Sequence, residues 1–290
     1  MRQALLVAGA LLLAAAGGPG RPKGHLLIVG GGEQPETLVR HFVDLAGGPG
    51  KATIVVVPMA SSEPEATGEE KAAELRGYGA EVTVVVLTRA QAESAGSARR
   101  FDGATGIWFT GGDQVPLVAV LRGTPALAAI KARYQAGAVV GGTSAGAAIM
   151  SDSMITGNQR QPDSLGYYGD EYDGVRRDFI EVVPGLGFLP GTIVDQHFLR
   201  RERHNRLLSA VLERPSLLGV GIDEGTALEV DPEGPWRVLG RSAVVIVDAR
   251  QARVTGPHAP VLGAAGLRLH LLPAGSRYDP GRGAVTLPRP

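Results

Sequence analysis

The 290-residue chain contains no cysteine. That absence excludes disulfides, thiol nucleophiles and thiolate metal sites. Net charge is missing as well: 29 Lys plus Arg face 29 Asp plus Glu. A zero balance makes no electrostatic case for binding nucleic acid or a membrane surface. The chain has no internal repeat, low-complexity segment or interdomain linker. Its leading apolar run, Ala4 to Ala16, is shorter than the roughly 20 residues of a membrane-crossing helix.

What is present reads as a soluble globular protein, with 44% hydrophobic and 20% charged residues. The length is ample for a buried core. The 42 glycines and 20 prolines imply many tight turns. The opening "MRQALLVAGALLLAAAGGPGRP" differs from the rest. Arg2 precedes the apolar run, Ala14 to Ala16 offer the small residues a signal peptidase prefers, and Gly17 to Pro22 break any helix. Residues 1–22 therefore read as a signal peptide and linker, cleaved near Ala16, which makes the mature protein secreted or periplasmic. Residues 23–290 read as a single domain.

Beyond the leader, apolar runs alternate with segments of helical period. "HLLIVGGG", "ATIVVVPMAS", "AEVTVVVL", "TGIWFTGGDQ" and "GAVVGG" predict five strands. Helices are predicted between them, including one from about Val115 to Tyr134. Continuous Val/Ile runs separated by helices imply an α/β fold whose mostly parallel sheet is covered on both faces. Such sheets bind ligands at the carboxyl ends of their strands. Three strands run into glycines there, after Val29, Thr110 and Val140. Thr156 to Val182 reads as a long polar loop or hairpin. "GTIVDQHF" predicts another strand, "RRERHNRLLSAVLERP" a helix, and "LLGVGIDEGTALEV" two strands joined by a turn. The remainder predicts β-structure that finishes the sheet.

The stretch "VVGGTSAGAAIM" places Ser144 where a strand turns into a helix. That position suits a nucleophile, although small residues there also serve packing alone. A neutral hydroxyl needs a base. Of six histidines, His197 stands out because "DQHF" ends a buried-looking strand at the same sheet edge. Asp223 and Glu224 in "GIDEGTAL" offer the carboxylate that orients a base. Gly142 to Gly146 also fits the G-x-S-x-G turn of α/β-hydrolases, but those enzymes run Ser, acid, His. That order would require His258 or His270, neither of which sits in a polar strand-end loop.

The segments "FTGGDQ", "GGTSAGAA", "DQHFLRRERHNRLL" and "GIDEGTAL" together resemble the cyanophycinase and aspartyl-dipeptidase family of serine peptidases, its cyanophycinase branch in particular. The resemblance runs from His25 to about Val230. It implies a three-layer fold like that of class I glutamine amidotransferases, with extra C-terminal strands. It also implies Ser144 as nucleophile, His197 as base and Glu224 as acid, with Asp223 the fallback. The amides of Ala145 and Gly112 would form the oxyanion hole. Gln114, Asp195, Gln196, Arg201, Arg203 and Arg206 would bind substrate. Arginine forks suit carboxylates, and Asp195 would suit a guanidinium. Arg203 and Arg206 share a helix face, and Arg201 joins them only if the helix begins after it or bends. The implied reaction is hydrolysis of cyanophycin, a poly-aspartate bearing arginine on each side chain, to β-aspartyl-arginine. No metal or cofactor is implied, and a homodimer is. Two other readings remain open: a dipeptidase for aspartyl or isoaspartyl peptides, and a catalytically silent binding protein on the same fold.

Overall fold

The computed structural model describes residues 21–160 and 172–289. The leader, apart from its last residues, lies outside them, as does the middle of the Thr156–Val182 segment.

The first half alternates strands and helices. In order these are β1 (Leu26–Val29), α1 (Glu36–Leu45), β2 (Thr53–Val57), α2 (Pro64–Gly77), β3 (Glu81–Val84) and α3 (Arg89–Glu93). They continue with β4 (Gly106–Phe109), α4 (Gln114–Leu121), α5 (Pro125–Ala136), β5 (Val139–Thr143) and α6 (Ala145–Ala148). The five strands lie parallel in the order β1-β5-β4-β2-β3. All four residues of β1 are fully buried, because both faces of the sheet are covered. Leu27 and Val29 pack with Phe42 of α1 and Leu75 of α2. Leu26 and Ile28 pack on the opposite face with Leu117 of α4 and Ile130 of α5.

Two local expectations need correction. The single helix from Val115 to Tyr134 is two helices meeting at 95°. Thr124 caps the second by accepting from Leu127 N–H, and Pro125 opens it. Proline is at home in a first helical turn but cannot continue a helix, so the periodic pattern breaks there. Gly141 and Gly142 do not form a turn after Val140 either. They remain in β5, and the reversal comes at Ser144.

The second half adds β6 (Ser153–Gln159), β7 (Ile180–Pro184), β8 (Thr192–Asp195), α7 (His204–Glu213), β9 (Leu218–Ile222) and β10 (Thr226–Val230). After these come β11 (Trp236–Gly240), β12 (Ala243–Asp248), β13 (Arg253–Val254), β14 (Ala264–Ala265), β15 (Arg268–Pro273), β16 (Arg277–Asp279) and β17 (Ala284–Thr286). β10, β11, β16 and β17 extend the central sheet beyond β1 as antiparallel strands, making nine. The Thr156–Val182 segment begins and ends in an antiparallel pair, β6 with β7.

The C-terminal strands do not all finish one sheet. β8, β9, β12 and β15 form a separate four-stranded sheet. Its inner face, with Val194, Val220, Ile222 and Ile246, joins the core of the central sheet, and α7 covers its outer face through Leu207 and Val211. The layering is helix, sheet, helix over the parallel half. This second sheet stands in for helices over the rest.

Candidate active site

β5 ends at Thr143 and α6 starts at Ala145, so Ser144 alone turns the chain from strand to helix. Its φ of 53° is left-handed, a conformation that side-chain-bearing residues hold only when their surroundings impose it. The surroundings here are glycine. A Cβ on Gly142 would stand 2.5 Å from the Gly146 carbonyl oxygen, and one on Gly146 would stand 2.4 Å from that of Phe109. The G-x-S-x-G spacing therefore lets the helix begin hard against its own strand.

The end of β1 holds the site by its backbone. The Val29 carbonyl accepts from Ser144 N–H at 3.1 Å, that of Gly30 from His197 N–H at 2.6 Å, and that of Gly31 from Gly225 N–H at 2.9 Å. Three consecutive peptide groups thus position the serine turn, the histidine turn and the residue after Glu224. The side chains lie against the same glycines. A Cβ on Gly31 would stand 2.3 Å from His197 Cε1, and one on Gly32 would stand 2.9 Å from the Glu224 Cβ. Sequence reasoning noted this glycine run as a strand end but assigned it no role. The signal was the run itself, since three glycines exceed what one turn needs.

His197 Nε2 lies 2.9 Å from Ser144 Oγ, and Nδ1 lies 2.6 Å from Glu224 Oε1. With Glu224 ionised, Nδ1–H donates to the carboxylate, which leaves Nε2 to accept from the serine hydroxyl. Burial pushes the imidazole below its ordinary value. The Glu224 hydrogen bond opposes that shift, while the positive charges of Arg201 and Arg203 add to it. The ring is therefore neutral near pH 7 and able to accept a proton. Like Ser144, His197 has a left-handed backbone, with φ 48°.

Asp223 faces away from the imidazole. Its Oδ1 accepts from Leu199 and Arg200 N–H at 3.1 and 2.9 Å, and its Oδ2 accepts from Ser242 O–H at 2.7 Å. It braces the turn that follows His197, and Glu224 is the carboxylate that meets the ring.

Ser144 opens into a cavity of about 550 Å³, lined also by Gly112, Gln114, Gln196, Arg201, Arg203 and Arg206. Ala145 supplies the first N–H of α6, a group that helix geometry leaves without an internal acceptor. α7 begins at His204, so Arg201 precedes the helix and reaches the same cavity as Arg203 and Arg206. Thr156 and Asn158 of β6 complete the wall, as strand residues of the antiparallel β6–β7 pair, in keeping with the hairpin of the two readings of this segment.

Asp195 corrects an expectation. It is 1% exposed, lies outside the cavity lining, and is gripped by Arg206 through Nε at 2.9 Å and through Nη2. With Arg203 Nη1 also 4.0 Å from its Oδ1, this carboxylate is balanced by the protein's own guanidinium groups rather than offered to a ligand's. Arg206 is 1% exposed for the same reason, so the charge it brings to the cavity wall is already paired. Its guanidinium carbon also lies over the Tyr172 ring, 5.5 Å from the centroid. Gln196 accepts from Arg203 Nη1 through both its backbone carbonyl (3.0 Å) and its Oε1 (2.6 Å). Gln114 donates from Nε2 to the carbonyls of Ile155 and Thr156 at 2.8 and 2.7 Å, which ties β6 to the site. These polar residues shape the cavity as much as they face it.

A larger cavity of about 810 Å³ lies by Trp236, Phe188 and Asp279, near the amino-terminal edge of the parallel strands. Neither Ser144 nor His197 reaches it.

Comparison with known proteins gives the arrangement its context. The cyanophycinase of Synechococcus elongatus is 39% identical over 193 residues, covering 65% of this chain and 56% of that protein. The cyanophycinase of Trichormus variabilis is 38% identical over 193 residues, covering 65% and 61%. The matched segment thus spans less than two thirds of the length of these curated relatives. The crystal structure of a peptidase from an acI-B1 Actinobacterium shares the fold, with a TM-score of 0.59 at 24% identity over 87% of this chain and 98% of that one. Residues 26–235, which run from β1 past β10 and include Ser144, His197 and Glu224, match the model of peptidase family S51. That match covers more than half of the sequence, and the chain belongs to peptidase family S51.

Proposed function

We propose that this chain is a serine peptidase that hydrolyses cyanophycin to β-aspartyl-arginine through an acyl-enzyme. One observation carries the reading: the Ser144–His197–Glu224 row opens into a cavity whose wall includes three arginines. The relatives named cyanophycinase support the choice of substrate.

In this reading Ser144 Oγ attacks the scissile carbonyl carbon while its proton passes to His197 Nε2. The carbonyl π electrons move onto oxygen, which the amides of Ala145 and Gly112 receive. The C–N bond then breaks as Nε2–H protonates the departing amine. Water, deprotonated by the same nitrogen, attacks the ester and frees Ser144. Glu224 holds the tautomer and stabilises the imidazolium. Arg201 and Arg203 attract the substrate carboxylates.

The experiment is incubation of purified protein with cyanophycin and identification of the products by mass spectrometry. β-Aspartyl-arginine from the wild type, and none from Ser144→Ala, supports the reading. Cleavage of short aspartyl peptides with cyanophycin untouched overturns it. The leader adds export to the proposal. N-terminal sequencing of exported protein should find a start near Gly17, and a retained Met1 would remove that part.

A further inference from the structure

The cavity at Ser144 is built from two chemically different sets of side chains. Arg201, Arg203 and Arg206 come from α7 and the turn before it. A guanidinium has donors and no acceptor, so this set suits carboxylates and repels a second guanidinium. The other set comes from the start of α4 and from β6. What it offers is acceptors.

Two amides in this set are oriented by their partners. Gln114 is 5% exposed, and Nε2 donates to the carbonyls of both Ile155 and Thr156. Carbonyls can only accept, so the amide cannot be reversed, and Oε1 is the atom left to the cavity. Asn158 donates from Nδ2 to Glu181 Oε2 at 2.9 Å, and Thr156 O–H donates to the same oxygen at 2.8 Å. These bonds hold the Glu181 carboxyl below the usual carboxylate range, so it too only accepts. Asn158 is thereby fixed with Oδ1 unspent.

Asp113 adds charge to these oxygens. It is the only carboxylate among the described residues that line the cavity. It follows Gly112, the proposed oxyanion donor, and its own N–H donates to the Ala60 carbonyl at 2.7 Å. Oδ1 caps α4 by accepting from Val115 N–H at 2.8 Å. Oδ2 has no partner among the described residues. Asp195 is enclosed and balanced by arginine, whereas Asp113 is exposed and makes no ion pair among those residues.

We propose that Asp113 is the residue that takes the guanidinium of the substrate, with Gln114 Oε1 and Asn158 Oδ1 as neutral acceptors beside it. The sequence had suggested Asp195 for that role. The substrate's carboxylates then lie towards α7 and its arginine towards α4 and β6, with Ser144 in the same cavity. This assignment rests on reading the cavity as the site for cyanophycin, and it adds which residue selects the arginine.

The rival role for Asp113 is helix capping alone, and asparagine separates the two, because it caps as well as aspartate and carries no charge. The parent for the test is Ser144→Ala, which retains bound substrate. Its ligands are a synthetic aspartate trimer with arginine on each side chain and the same trimer with citrulline, the uncharged near-isostere. Affinities are measured by isothermal titration calorimetry, and thermal melts check each fold. The arginine trimer should bind about tenfold more tightly or better, as expected for a charge-assisted contact. Adding Asp113→Asn should bring the ratio of the two affinities close to one, and Asp113→Ser, a second uncharged cap, should do the same. No preference for arginine in the parent, a preference kept by either variant, or equal losses on both trimers overturns the assignment. If the ratio collapses as expected but the wild type leaves cyanophycin uncut, the substrate reading fails and the guanidinium site stands. If the wild type cleaves cyanophycin but the ratio is indifferent to Asp113, the assignment fails and the substrate reading stands.

Discussion

Arg206 grips Asp195 in a two-nitrogen fork, and each side chain is only 1% exposed. The pair joins the end of β8 to α7, with Arg206 in the cavity wall and Asp195 behind it. Removing either partner strands a buried charge, which costs about 3–5 kcal/mol. Arg206→Ala and Asp195→Ala should each lower the urea midpoint accordingly, and the double variant should lose less than their sum. Additive losses would show that the two side chains act separately.

Glu224 and Asp223 should separate by phenotype. Glu224→Gln removes the anionic partner of the imidazole and should cut kcat by about 10³–10⁴-fold with little change in Tm. Asp223→Asn leaves the triad in place but weakens the bonds to Leu199, Arg200 and Ser242. It should cost about 1–3 kcal/mol of stability and far less in kcat. Steady-state kinetics beside thermal melts decides between them, and the reverse pattern would make Asp223 the acid.

The pH profile follows from His197. The ring must be neutral to accept the serine proton, so activity rises with pH as the imidazolium deprotonates. Burial, with Arg201 and Arg203 against Glu224, lowers its pKa. The acid limb of kcat/KM should therefore have its midpoint below the ordinary imidazole value of 6.5. Arg201→Gln removes one lowering influence and should move that limb to higher pH. A limb that stays in place would detach Arg201 from the electrostatics of the base.

Gly31 offers a test of the backbone cradle. A methyl group there would stand 2.3 Å from the His197 ring, on a backbone with φ 110°. Gly31→Ala should displace the imidazole and lower kcat by about 100-fold or more, since small misplacements of a catalytic group are costly. Near-normal kcat in a folded variant would mean that the ring is positioned by other contacts.

A buried cluster at the far end of β1 should set the acid limit of stability. Burial pushes the Glu229 carboxyl up, but hydrogen bonds from His25, His41 and Arg237 hold it well below the usual carboxylate range. A depressed carboxylate contributes stability that is fully present above the unfolded-state pKa of about 4.3 and lost as pH falls further. The stability difference between wild type and Glu229→Gln should be widest above that pH and close below it. Urea titrations from pH 7 to 3 measure it, and a constant difference would contradict the assignment.

Much of this site was legible along the chain. The turn at Ser144, the strand before His197 and the acidic turn at Glu224 are local features, written in apolar runs that stop at small or polar residues. The glycines after β1 were visible too, but not their purpose. That purpose lies in contacts with residues 197, 224 and 225, which are remote in sequence. The break at Pro125 was equally visible and was masked by helical periodicity on both sides.

By itself the sequence determined the alternation of strands and helices and the order serine, histidine, acid. Those depend on side-chain period and turn chemistry, which act between near neighbours. Tertiary structure decided which groups meet. It sent β9 and β10, four residues apart, into different sheets. It turned Glu224 towards the imidazole and Asp223 away from it. It enclosed Asp195 with Arg206, so that a carboxylate suited to a ligand became part of the frame. A carboxylate has the same chemistry at each of these positions. What differs is the direction in which the folded backbone points it and how much water is left to compete for it.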